Sequence, residues 1–387
     1  MRICIVSDLY YPYPGGVSEH VHHTAIGLRE LGHEVKILTT NYWGLKNTCN
    51  SSDIVRVGIG VPFFINQSVG VIPMGVGLNS KVRNVVSDHF DVVHLHTPHI
   101  AIPILALRHS RAVNIITFHS NAPFLKWHKY ITPYIYPYAC LIDGAIAVSQ
   151  DALDTMLRLV SIPYTIIPNG VDIERFSPYT NLLPKFATGG PNILFVGRLD
   201  PRKGLKYLIQ AFHKVNARFP TAKLIVVGKG VIDSKFQLPN VYFEGLVPPE
   251  DVPRYYAGCD IYCSPATGRE SFGIVLLEAM SSGKPVIASN IDGYKRVITN
   301  GKDGILVPAQ DSDALARALI KVLLDKELQI RLSTEGRNTA LKYSWQKVVK
   351  EIETFYYETI AKKNSKSEIL NPKQIPMSQI QISKQRW

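Results

Sequence analysis

Two glutamates of this sequence are spaced as the ends of a site for a charged, elongated ligand. Glu270 precedes a stretch that the pattern predicts to be a helix from Gly273, and Glu278 lies inside that helix. The segment between them spans about 12 Å at the rise of an α-helix, roughly the distance from the sugar to the ribose of a nucleotide sugar. The backbone N–H groups of Phe272, Gly273 and Ile274 would face a diphosphate placed between the two carboxylates.

An acidic helix start can also be purely structural, because carboxylates near a helix N-terminus are stabilised by the helix dipole. That alternative does not account for Glu278, whose sequence neighbours from Leu276 to Met280 are all apolar. A glutamate on a solvated helix face would not be expected to lie among apolar neighbours. We therefore interpret Glu270 and Glu278 as ligand-binding residues.

Two cationic residues follow the predicted strand that ends at Val196. Arg198 and Lys203 lie in Gly197-Arg-Leu-Asp-Pro-Arg-Lys-Gly204, where a strand ends and the next helix begins. Two cations at this position can neutralise a diphosphate as its bond to a sugar breaks. Taken alone, the segment could equally be a solvated basic turn. Beside Glu270, we interpret it as the diphosphate-binding part of the same site.

The N-terminal part of the chain has further candidates at strand ends. Gly15 and Gly16 follow the first strand, and their lack of side chains lets the backbone approach a phosphate, although a Gly-Gly pair is also common in ordinary turns. The sequence has neither a GxGxxG fingerprint nor a Walker A segment, which argues against simple dehydrogenases and ATPases. His119, in Thr117-Phe-His-Ser120, could donate a hydrogen bond to the transferred sugar, but a lone histidine at a strand end is often structural.

The residues that could suggest a metal ion have structural explanations. Asp311-Ser-Asp313 is the only Asp-x-Asp triplet, and it opens a predicted helix, where Asp and Ser act as cap residues. His94, His96 and His99 lie where a strand ends, and a polar sheet edge explains their spacing as well as a metal site does. We therefore expect no metal ion in the donor site, with the two cationic residues in its place.

The composition indicates a globular protein with an anionic partner. Hydrophobic residues make up 46% of the 387-residue chain, and its net charge is +12. No motif for reading nucleic acid accompanies this charge, so an anionic membrane surface is the preferred partner. No segment approaches the roughly 18 apolar residues of a membrane span, and the first apolar run is too short for a signal peptide.

The five cysteines lack Cys-x-x-Cys spacing. Cys259 and Cys263 lie in a segment that indicates a strand, where residues four apart share a face, so buried thiols are favoured over a zinc site. Reduced cysteines are typical of the cytosol. Together with the charge, they predict a cytoplasmic protein that is peripheral on the inner face of the cell membrane.

Alternating strands and helices predict an α/β protein with two doubly wound, Rossmann-like domains. The alternation extends to about residue 167, stops in a stretch rich in Pro, Gly and Asn, and begins again at residue 192. Such a stretch is typical of an interdomain linker. Ligands of this architecture bind at the carboxyl ends of the strands, so we expect the site in the cleft between the domains.

Taken together, these segments resemble glycosyltransferase family 4, the retaining glycosyltransferases of GT-B fold. The resemblance extends to about Ile360 and rests mainly on Glu270-x7-Glu278 and on the segment from Gly197 to Gly204. Several segments look like the phosphatidylinositol mannosyltransferase branch of the family: MRICIVSDLYYPYPGGVSEHV, TFHS, AVSQDA, IPNGVD, GRLDPRKG and GRESFGIVLLEAM.

The resemblance implies roles for the candidates in the C-terminal half. Glu270 would contact the sugar hydroxyls, and Glu278 would contact the ribose. Arg198 and Lys203 would hold the diphosphate. The nucleotide-sugar donor would thus be bound without a cofactor.

In the N-terminal half, the resemblance implies that Gly16 closes on the diphosphate and that His119 touches the sugar. In the C-terminal half, the segment from Glu244 to Val247 would line the nucleotide base. The reaction would proceed with retention, through a front-face, oxocarbenium-like state without a covalent intermediate.

The resemblance also completes the predicted domain organisation. We expect an N-terminal, acceptor-side domain of residues 1–172, a linker of residues 173–191 and a C-terminal donor domain of residues 192–344. In this fold the final helix, residues 345–361, crosses back to complete the N-terminal domain. Residues 362–387 lack periodicity and are predicted to be a basic, disordered tail.

The expected function is the transfer of mannose from GDP-mannose to a membrane lipid such as phosphatidylinositol. One alternative is a family 4 enzyme that uses a UDP-sugar for another glycolipid or a surface polysaccharide; a sugar-nucleotide epimerase is less favoured. Membrane attachment in this branch uses a strongly basic amphipathic helix. Here the segment of residues 80–90 offers only Lys81 and Arg83, which is a weak electrostatic anchor. The basic tail is a second candidate anchor.

Overall fold

The computed structural model describes residues 1–13, 15–42, 51–65, 68–96, 101–119, 136–157, 164–186, 189–230, 238–268, 270 and 272–369, and the structural statements below concern these residues. They form two α/β units, each built on one sheet. The fold class predicted from the alternation of strands and helices is confirmed.

Fourteen strands lie in the described part of the chain. The first eight are β1 Arg2–Ser7, β2 Glu34–Tyr42, β3 Ile54–Ile65, β4 Ser68–Met74, β5 Val92–His96, β6 Val113–Phe118, β7 Gly144–Ala147 and β8 Tyr164–Ile166. The other six are β9 Asn192–Val196, β10 Lys223–Val227, β11 Val241–Gly245, β12 Ile261–Ser264, β13 Val286–Ser289 and β14 Ile305–Val307.

These strands form two separate sheets. The first has the order β4-β3-β2-β1-β5-β6-β7-β8, and the second has the order β11-β10-β9-β12-β13-β14. The pairs are parallel except β3 with β4. Parallel strands covered on both faces contain nearly continuous apolar runs, which is the pattern that made most of these strands predictable.

The helices within the described ranges lie between and over the strands. They are α1 Gly16–Glu30, α2 Leu78–Val86, α3 Ile102–His109, α4 Gln150–Leu157, α5 Leu205–Arg218, α6 Val252–Gly258, α7 Ile274–Ser281, α8 Asp292–Lys295, α9 Ser312–Leu324, α10 Lys326–Ala340 and α11 Trp345–Ile369. None of them is both long and apolar enough to cross a membrane.

Helices cover both faces of the central strands of each sheet. In β1, Ile3 and Ile5 pack with α1 and α11, whereas Cys4 and Val6 pack with α2 and α3. This division follows from the alternation of side chains along a strand. The last helix of the chain therefore contributes to the core of the first sheet.

The hairpin of β3 and β4 is an element that the sequence pattern does not predict. Its antiparallel register pairs Ile59 with Met74 and Val61 with Ile72. Ile59, Val61 and Met74 are exposed. A strand with one solvated face normally alternates apolar and polar residues, and the apolar outer face removes that signal here.

The two cysteines of the second sheet are buried thiols, as predicted, but they do not share a face. Cys259 lies just after α6 and packs in the same apolar cluster as Tyr262. Cys263 lies on β12 and packs in the cluster on the other side of the sheet. The predicted common face is wrong because the strand begins only at Ile261.

The final helix is longer than the sequence predicts. Its helical hydrogen bonding extends to Ile369, so residues 362–369 are not part of a disordered tail. Lys362 lies 3.8 Å from Glu358 one turn earlier, and Lys363 lies 2.7 Å from Asp143. These ion pairs involve polar residues at the end of the helix. This part of the sequence has no apolar periodicity that would predict a helix. Residues 370–387 lie outside the described residues, and the exact domain boundaries remain a prediction.

Candidate active site

Lys203 and Glu270, which lie in separate segments of the sequence, form an ion pair. The Nζ atom of Lys203 lies 2.8 Å from Oε1 of Glu270, and their side chains are only 18% and 14% exposed. Charges attract each other more strongly in such a partly buried site than in water. The pair places a cation beside a carboxylate beyond the carboxyl ends of β9 and β12.

Backbone contacts between two loops fix this pair. The N–H of Thr267 donates to the carbonyl of Arg202 over 2.8 Å. Gly204 has φ of +70°, and a Cβ there would lie 1.9 Å from the carbonyl oxygen of Pro265. A side chain at residue 204 would therefore push the two loops apart, as well as strain the backbone.

Arg198 leaves the same turn as Lys203. Asp200 caps the short 3₁₀ helix Pro201–Lys203 by accepting the N–H of Arg202, and it lies 3.6 Å from the guanidinium of Arg198. The Arg198 side chain is 52% exposed. An exposed ion pair contributes little to stability, so this position suits a role in binding an anion.

The start of α7 supplies backbone donors. Gly273 is its N-cap with φ of +88°, and no side chain of a described residue caps the helix, so its first N–H groups are available to an anion. A Cβ on Gly273 would lie 2.8 Å from the ring of Tyr294, whose hydroxyl is bonded to Ser264 over 2.7 Å. Phe272 is buried. Close packing therefore holds the start of α7, up to Ile274, in one position.

Glu278 is held on α7 by a hydrogen bond from the hydroxyl of Tyr256, over 2.8 Å. Burial raises the pKa of Glu278 to about 7, against the opposing effects of this hydrogen bond and of the charge of Arg175. Desolvation disfavours the charged form of a carboxyl group. The protonation of Glu278 therefore changes near neutral pH.

Residues from both halves of the chain meet in front of α7. The guanidinium of Arg175 lies 3.9 Å from the carboxylate of Glu19 on α1, and both charges act on Glu278. A Cβ added to Gly16 would lie 3.6 Å from Cδ1 of Ile274. The starts of α1 and α7 thus face each other across the cleft.

Two further observations define this cleft. Gly15 is the N-cap of α1, so the Gly-Gly pair lies at the start of the helix. Asp151 on α4 and Arg296 after α8 form an ion pair of 2.9 Å between the two halves of the chain. The Ser149 hydroxyl accepts the N–H of Ala152 over 3.2 Å and so caps the start of α4.

Sequence reasoning misses Glu19, Arg175 and Tyr256. Tyr256 lies in a segment without a recognisable motif, and Arg175 belongs to the stretch predicted to be a linker. Glu19 lies in a segment that carries the family resemblance, but that resemblance assigned it no role. Their role depends on contacts between residues that are distant in sequence. Only the polarity of Glu19, placed directly after the Gly-Gly turn, hints at a position facing the ligand.

His119 is part of a group of imidazoles rather than a lone histidine. Its Nε2 lies 2.9 Å from Nδ1 of His96, and the ring of His20 packs edge-on against it at 4.7 Å between centroids. Burial lowers the pKa of His20 to about 4 and those of His96 and His119 well below the usual value. These imidazoles are therefore uncharged at neutral pH.

The predicted group of His94, His96 and His99 is divided in the structure. His94 lies within the sheet, where its ring nitrogens are bonded to the hydroxyls of Thr117 and Tyr356 over 2.7 and 2.6 Å. His99 lies outside the described residues. Interpreting these histidines as a polar sheet edge is therefore wrong for His94, which is fully buried.

The segment predicted to line the base lies on the same side of the second sheet as α7. Val247 packs against the apolar cluster that contains Phe272. Glu244 pairs with Lys185 and accepts a hydrogen bond from Tyr255 over 2.8 Å. Val247 thus packs against the apolar cluster to which α7 contributes, whereas Glu244 is engaged with Lys185 and Tyr255.

The prediction that Asp311 is a helix cap is confirmed. Its carboxylate accepts the N–H groups of Asp313 and Ala314 at the start of α9. Asp313 forms an ion pair with Lys214. Both carboxylates of the only Asp-x-Asp triplet are therefore used in holding the second unit together.

The chain matches known proteins along nearly its whole length. The model of Glycosyltransferase Family 4 matches residues 14–175, and that of Glycosyl transferases group 1 matches residues 184–339. The phosphatidyl-myo-inositol mannosyltransferase of Mycolicibacterium smegmatis is 34% identical over 93% of this chain and 94% of that protein. A protein of the same name from Propionibacterium freudenreichii is 34% identical over 94% of this chain and 96% of its own.

Solved structures share the architecture. Sucrose-phosphate synthase from Thermosynechococcus elongatus has a TM-score of 0.72 at 21% identity, covering 93% of this chain and 99% of that one. The Anabaena protein HepE in complex with UDP and glucose has a TM-score of 0.70 at 18% identity, covering 92% and 100%. Two α/β units, each built on a mainly parallel sheet, with a charged cleft between them, thus define a GT-B fold. The chain belongs to glycosyltransferase family 4 and is a glycosyltransferase.

Proposed function

We propose that this enzyme transfers mannose from GDP-mannose to a membrane lipid such as phosphatidylinositol, with retention at the anomeric carbon. The observation that carries the proposal is the ion pair of Lys203 with Glu270, because it puts a phosphate-binding cation next to a carboxylate that can hold a sugar. Mannose and an inositol lipid are supported by the names of relatives that are 34% identical over more than nine-tenths of the chain.

The charges of the site fit the bond that must break. As the bond between C1 of the sugar and the β-phosphate oxygen lengthens, negative charge develops on the diphosphate and positive charge on the sugar. Arg198, Lys203 and the N–H groups at the start of α7 stabilise the diphosphate. The carboxylate of Glu270 orients the sugar hydroxyls and stabilises the positive sugar ring.

Retention requires the acceptor to attack C1 from the face that the diphosphate leaves. In this reaction the C1–O bond to phosphate breaks, the lipid hydroxyl oxygen forms the new bond to C1, and the hydroxyl proton passes to an oxygen of the departing GDP. The sugar passes through an oxocarbenium-like state. Glu270 is already paired with Lys203, so we assign it electrostatic stabilisation rather than covalent attack.

The remaining donor contacts come from both sides of the cleft. We assign the ribose to Glu278 and one side of the base to Val247. Gly15 and Gly16 approach the diphosphate from the start of α1, which faces the start of α7. His119 contacts the sugar as an uncharged imidazole.

We infer that the donor site needs no divalent cation. Arg198 and Lys203 supply the positive charge that a metal ion would otherwise provide. Asp311 and Asp313, which would be the first candidates for a metal, are engaged with α9 and Lys214. A chelator should therefore leave turnover unchanged; a strict requirement for added Mg²⁺ would refute this part of the proposal.

The β3–β4 hairpin supplies a surface that we propose to enter the membrane interface. Ile59 and Met74 are paired across the hairpin and exposed, and Val76, just after it, is 97% exposed. Lys81 and Arg83 follow on α2 and are also exposed. Exposed apolar residues beside cations favour attachment to anionic lipid. We call Ile59, Val61, Met74 and Val76 the hairpin surface.

Attachment by this surface would keep the acceptor headgroup and a cytoplasmic donor on the same side of the bilayer. The cations of α2 contribute only about 1 kcal/mol each, so the apolar residues must supply much of the affinity. The net charge of +12 adds a general attraction to anionic lipid. We therefore propose a peripheral enzyme on the inner face of the cell membrane.

A panel of labelled nucleotide sugars, incubated with the purified chain and a total lipid extract, tests the proposal. We expect label to enter a phosphatidylinositol product from GDP-mannose, and GDP to be released only when lipid is present. Labelling of another glycolipid from a UDP-sugar, with none from GDP-mannose, would replace the donor and acceptor. Conversion of the nucleotide sugar without any acceptor would instead indicate an epimerase.

A further inference from the structure

Three histidines from different elements converge in the N-terminal unit. They are His20 on α1, His96 at the end of β5 and His119 beyond β6, and one ligand nitrogen of each lies within 4.8 Å of the others. Imidazole nitrogen is the commonest protein ligand for transition metals. The sequence pattern does not reveal this arrangement, because His20 lies on a helix and is far from the other two histidines in the chain.

His20 is oriented as a metal ligand would be. Its Nδ1 lies 2.9 Å from the side-chain oxygen Oδ1 of Asn169. Because this oxygen can only accept, Nδ1 carries the proton and Nε2 carries a lone pair. A hydrogen bond from the second ring nitrogen to a carbonyl or carboxylate is the usual support of a metal-binding histidine.

The lone pair of His20 is not used by any described residue. His20 is only 1% exposed, so water does not reach it freely. Its buried Nε2 nevertheless has no hydrogen-bond partner in the described part of the chain. A buried polar atom without a partner is destabilising, so the unused lone pair of His20 indicates a missing ligand.

The spacing of the rings is compatible with a small cation. Nδ1 of His96 and Nε2 of His119 are 2.9 Å apart, the distance of a direct hydrogen bond. Nitrogen ligands at about 2.0–2.1 Å from a tetrahedral zinc ion are separated by about 3.3 Å. A small opening of this pair, with His20 approaching from the side, would therefore admit an ion.

We infer that His20, His96 and His119 form a zinc site with three protein ligands. The fourth position of such a site is open to water or to an oxygen of the substrate. Imidazoles favour zinc and its neighbours in the transition series, whereas magnesium prefers oxygen ligands. The ligands of this site are residues other than Arg198 and Lys203, so the binding of zinc does not require the proposed donor or acceptor to be correct.

Occupation of the site has a consequence for the cleft. The same Nε2 of His119 that lies against His96 would be taken by the ion, so it would no longer be available to the sugar. Zinc would thus compete with the sugar contact proposed for His119. This consequence rests on the proposed function, whereas the binding of zinc does not.

Titration of the metal-free, full-length protein with Co²⁺, followed by visible absorption, tests the site directly. We expect one Co²⁺ per chain with the absorption of a four-coordinate nitrogen site, displaced by Zn²⁺ but not by Mg²⁺. His20→Ala and His96→Ala should abolish this absorption. Asn169→Ala, which removes only the support of His20, should weaken binding about 10- to 100-fold.

The matched control is His213→Ala, because His213 is exposed on α5, outside the cluster. This variant should bind Co²⁺ like the wild type, and thermal unfolding should confirm that all variants are folded. If a ligand variant fails to fold, the Asn169→Ala affinity decides. Binding that is unchanged in both His20→Ala and Asn169→Ala, or no Co²⁺ absorption in the wild type, would overturn the inference.

Discussion

The Nζ atom of Lys203, in the segment after β9, lies 2.8 Å from the carboxylate of Glu270, in the segment after β12. This relationship gives each residue a second function besides its proposed contact with the donor. The ion pair holds the cation of Lys203 and the carboxylate of Glu270 in fixed positions relative to each other. In the proposed complex, the diphosphate would share the cation of Lys203 with Glu270.

Replacing Glu270 tests its part in this relationship. Glu270→Gln keeps the size of the side chain but removes the charge that stabilises the positive sugar and positions Lys203. We expect kcat to fall by about 10²–10³, the cost of losing one well-placed stabilising group, while the protein remains folded. Steady-state kinetics and circular dichroism would measure this. Glu351→Gln, at an exposed position of α11, is the control, and near-normal kcat in Glu270→Gln would remove Glu270 from the site.

Gly204 allows a test of the loop contact. Gly204→Ala should lower kcat/KM and destabilise the protein by about 1–3 kcal/mol, because its Cβ would collide with the carbonyl oxygen of Pro265 at 1.9 Å. Gly301 is the matched control, since its φ of +77° is nearly the same but its Cβ would meet nothing within 4 Å. Gly301→Ala should therefore show the backbone strain alone. Equal losses of activity in the two variants would show that the collision does not matter.

The partly buried carboxyl of Glu278 predicts a pH-dependent stability. Because its pKa rises from 4.5 to about 7 on folding, the folded protein binds more protons than the unfolded chain between these values, and stability falls as pH rises through them. Glu278→Gln should gain on the order of 1–3 kcal/mol relative to the wild type between pH 5 and pH 8. Urea unfolding across this range measures the gain.

A second variant distinguishes this cause from a general effect of pH. Tyr256→Phe removes the hydroxyl that donates to Glu278 and favours its charged form. The pH range in which stability falls should therefore move upward in this variant. A stability profile that is identical in the wild type and Glu278→Gln would show that the carboxyl titrates as it does in the unfolded chain.

The hairpin surface predicts how the protein binds lipid. Met74→Asp together with Val76→Asp should reduce sedimentation with vesicles containing phosphatidylinositol by at least about tenfold, because two exposed apolar groups are replaced by anions. Ile330→Asp provides the control, since Ile330 is also exposed, at 67%, but lies on α10 of the other unit. If Met74→Asp/Val76→Asp binds vesicles as well as the control does, another part of the chain attaches the protein.

The sequence predicts the central strands of both sheets well because these strands are buried on both faces and stand out as apolar runs. It also indicates the segments of Glu270 and Lys203, since each follows a strand at the edge where parallel sheets bind ligands. The loop contact that joins these two residues is not readable, because it depends on Gly204 fitting against Pro265. Local spacing contains no information on such a fit.

The same reason explains the features that sequence reasoning misses. Arg175 becomes a site residue only because the connection between the two units brings it to Glu19. His20 joins His96 and His119 only once α1 packs over the sheet. The hairpin of β3 and β4 escapes prediction for a different reason, because its outer face is apolar where a solvated strand is expected to alternate.

The central claim is tested most directly by the anomeric configuration of the product. Purified enzyme, GDP-α-mannose and phosphatidylinositol vesicles should yield GDP and a mannosyl lipid, whose anomeric centre can be assigned by NMR from its one-bond carbon–proton coupling. Retaining transfer at the Lys203–Glu270 site predicts an α-linked mannose on the lipid. A β-linked product, or release of free mannose with the lipid unchanged, would contradict it.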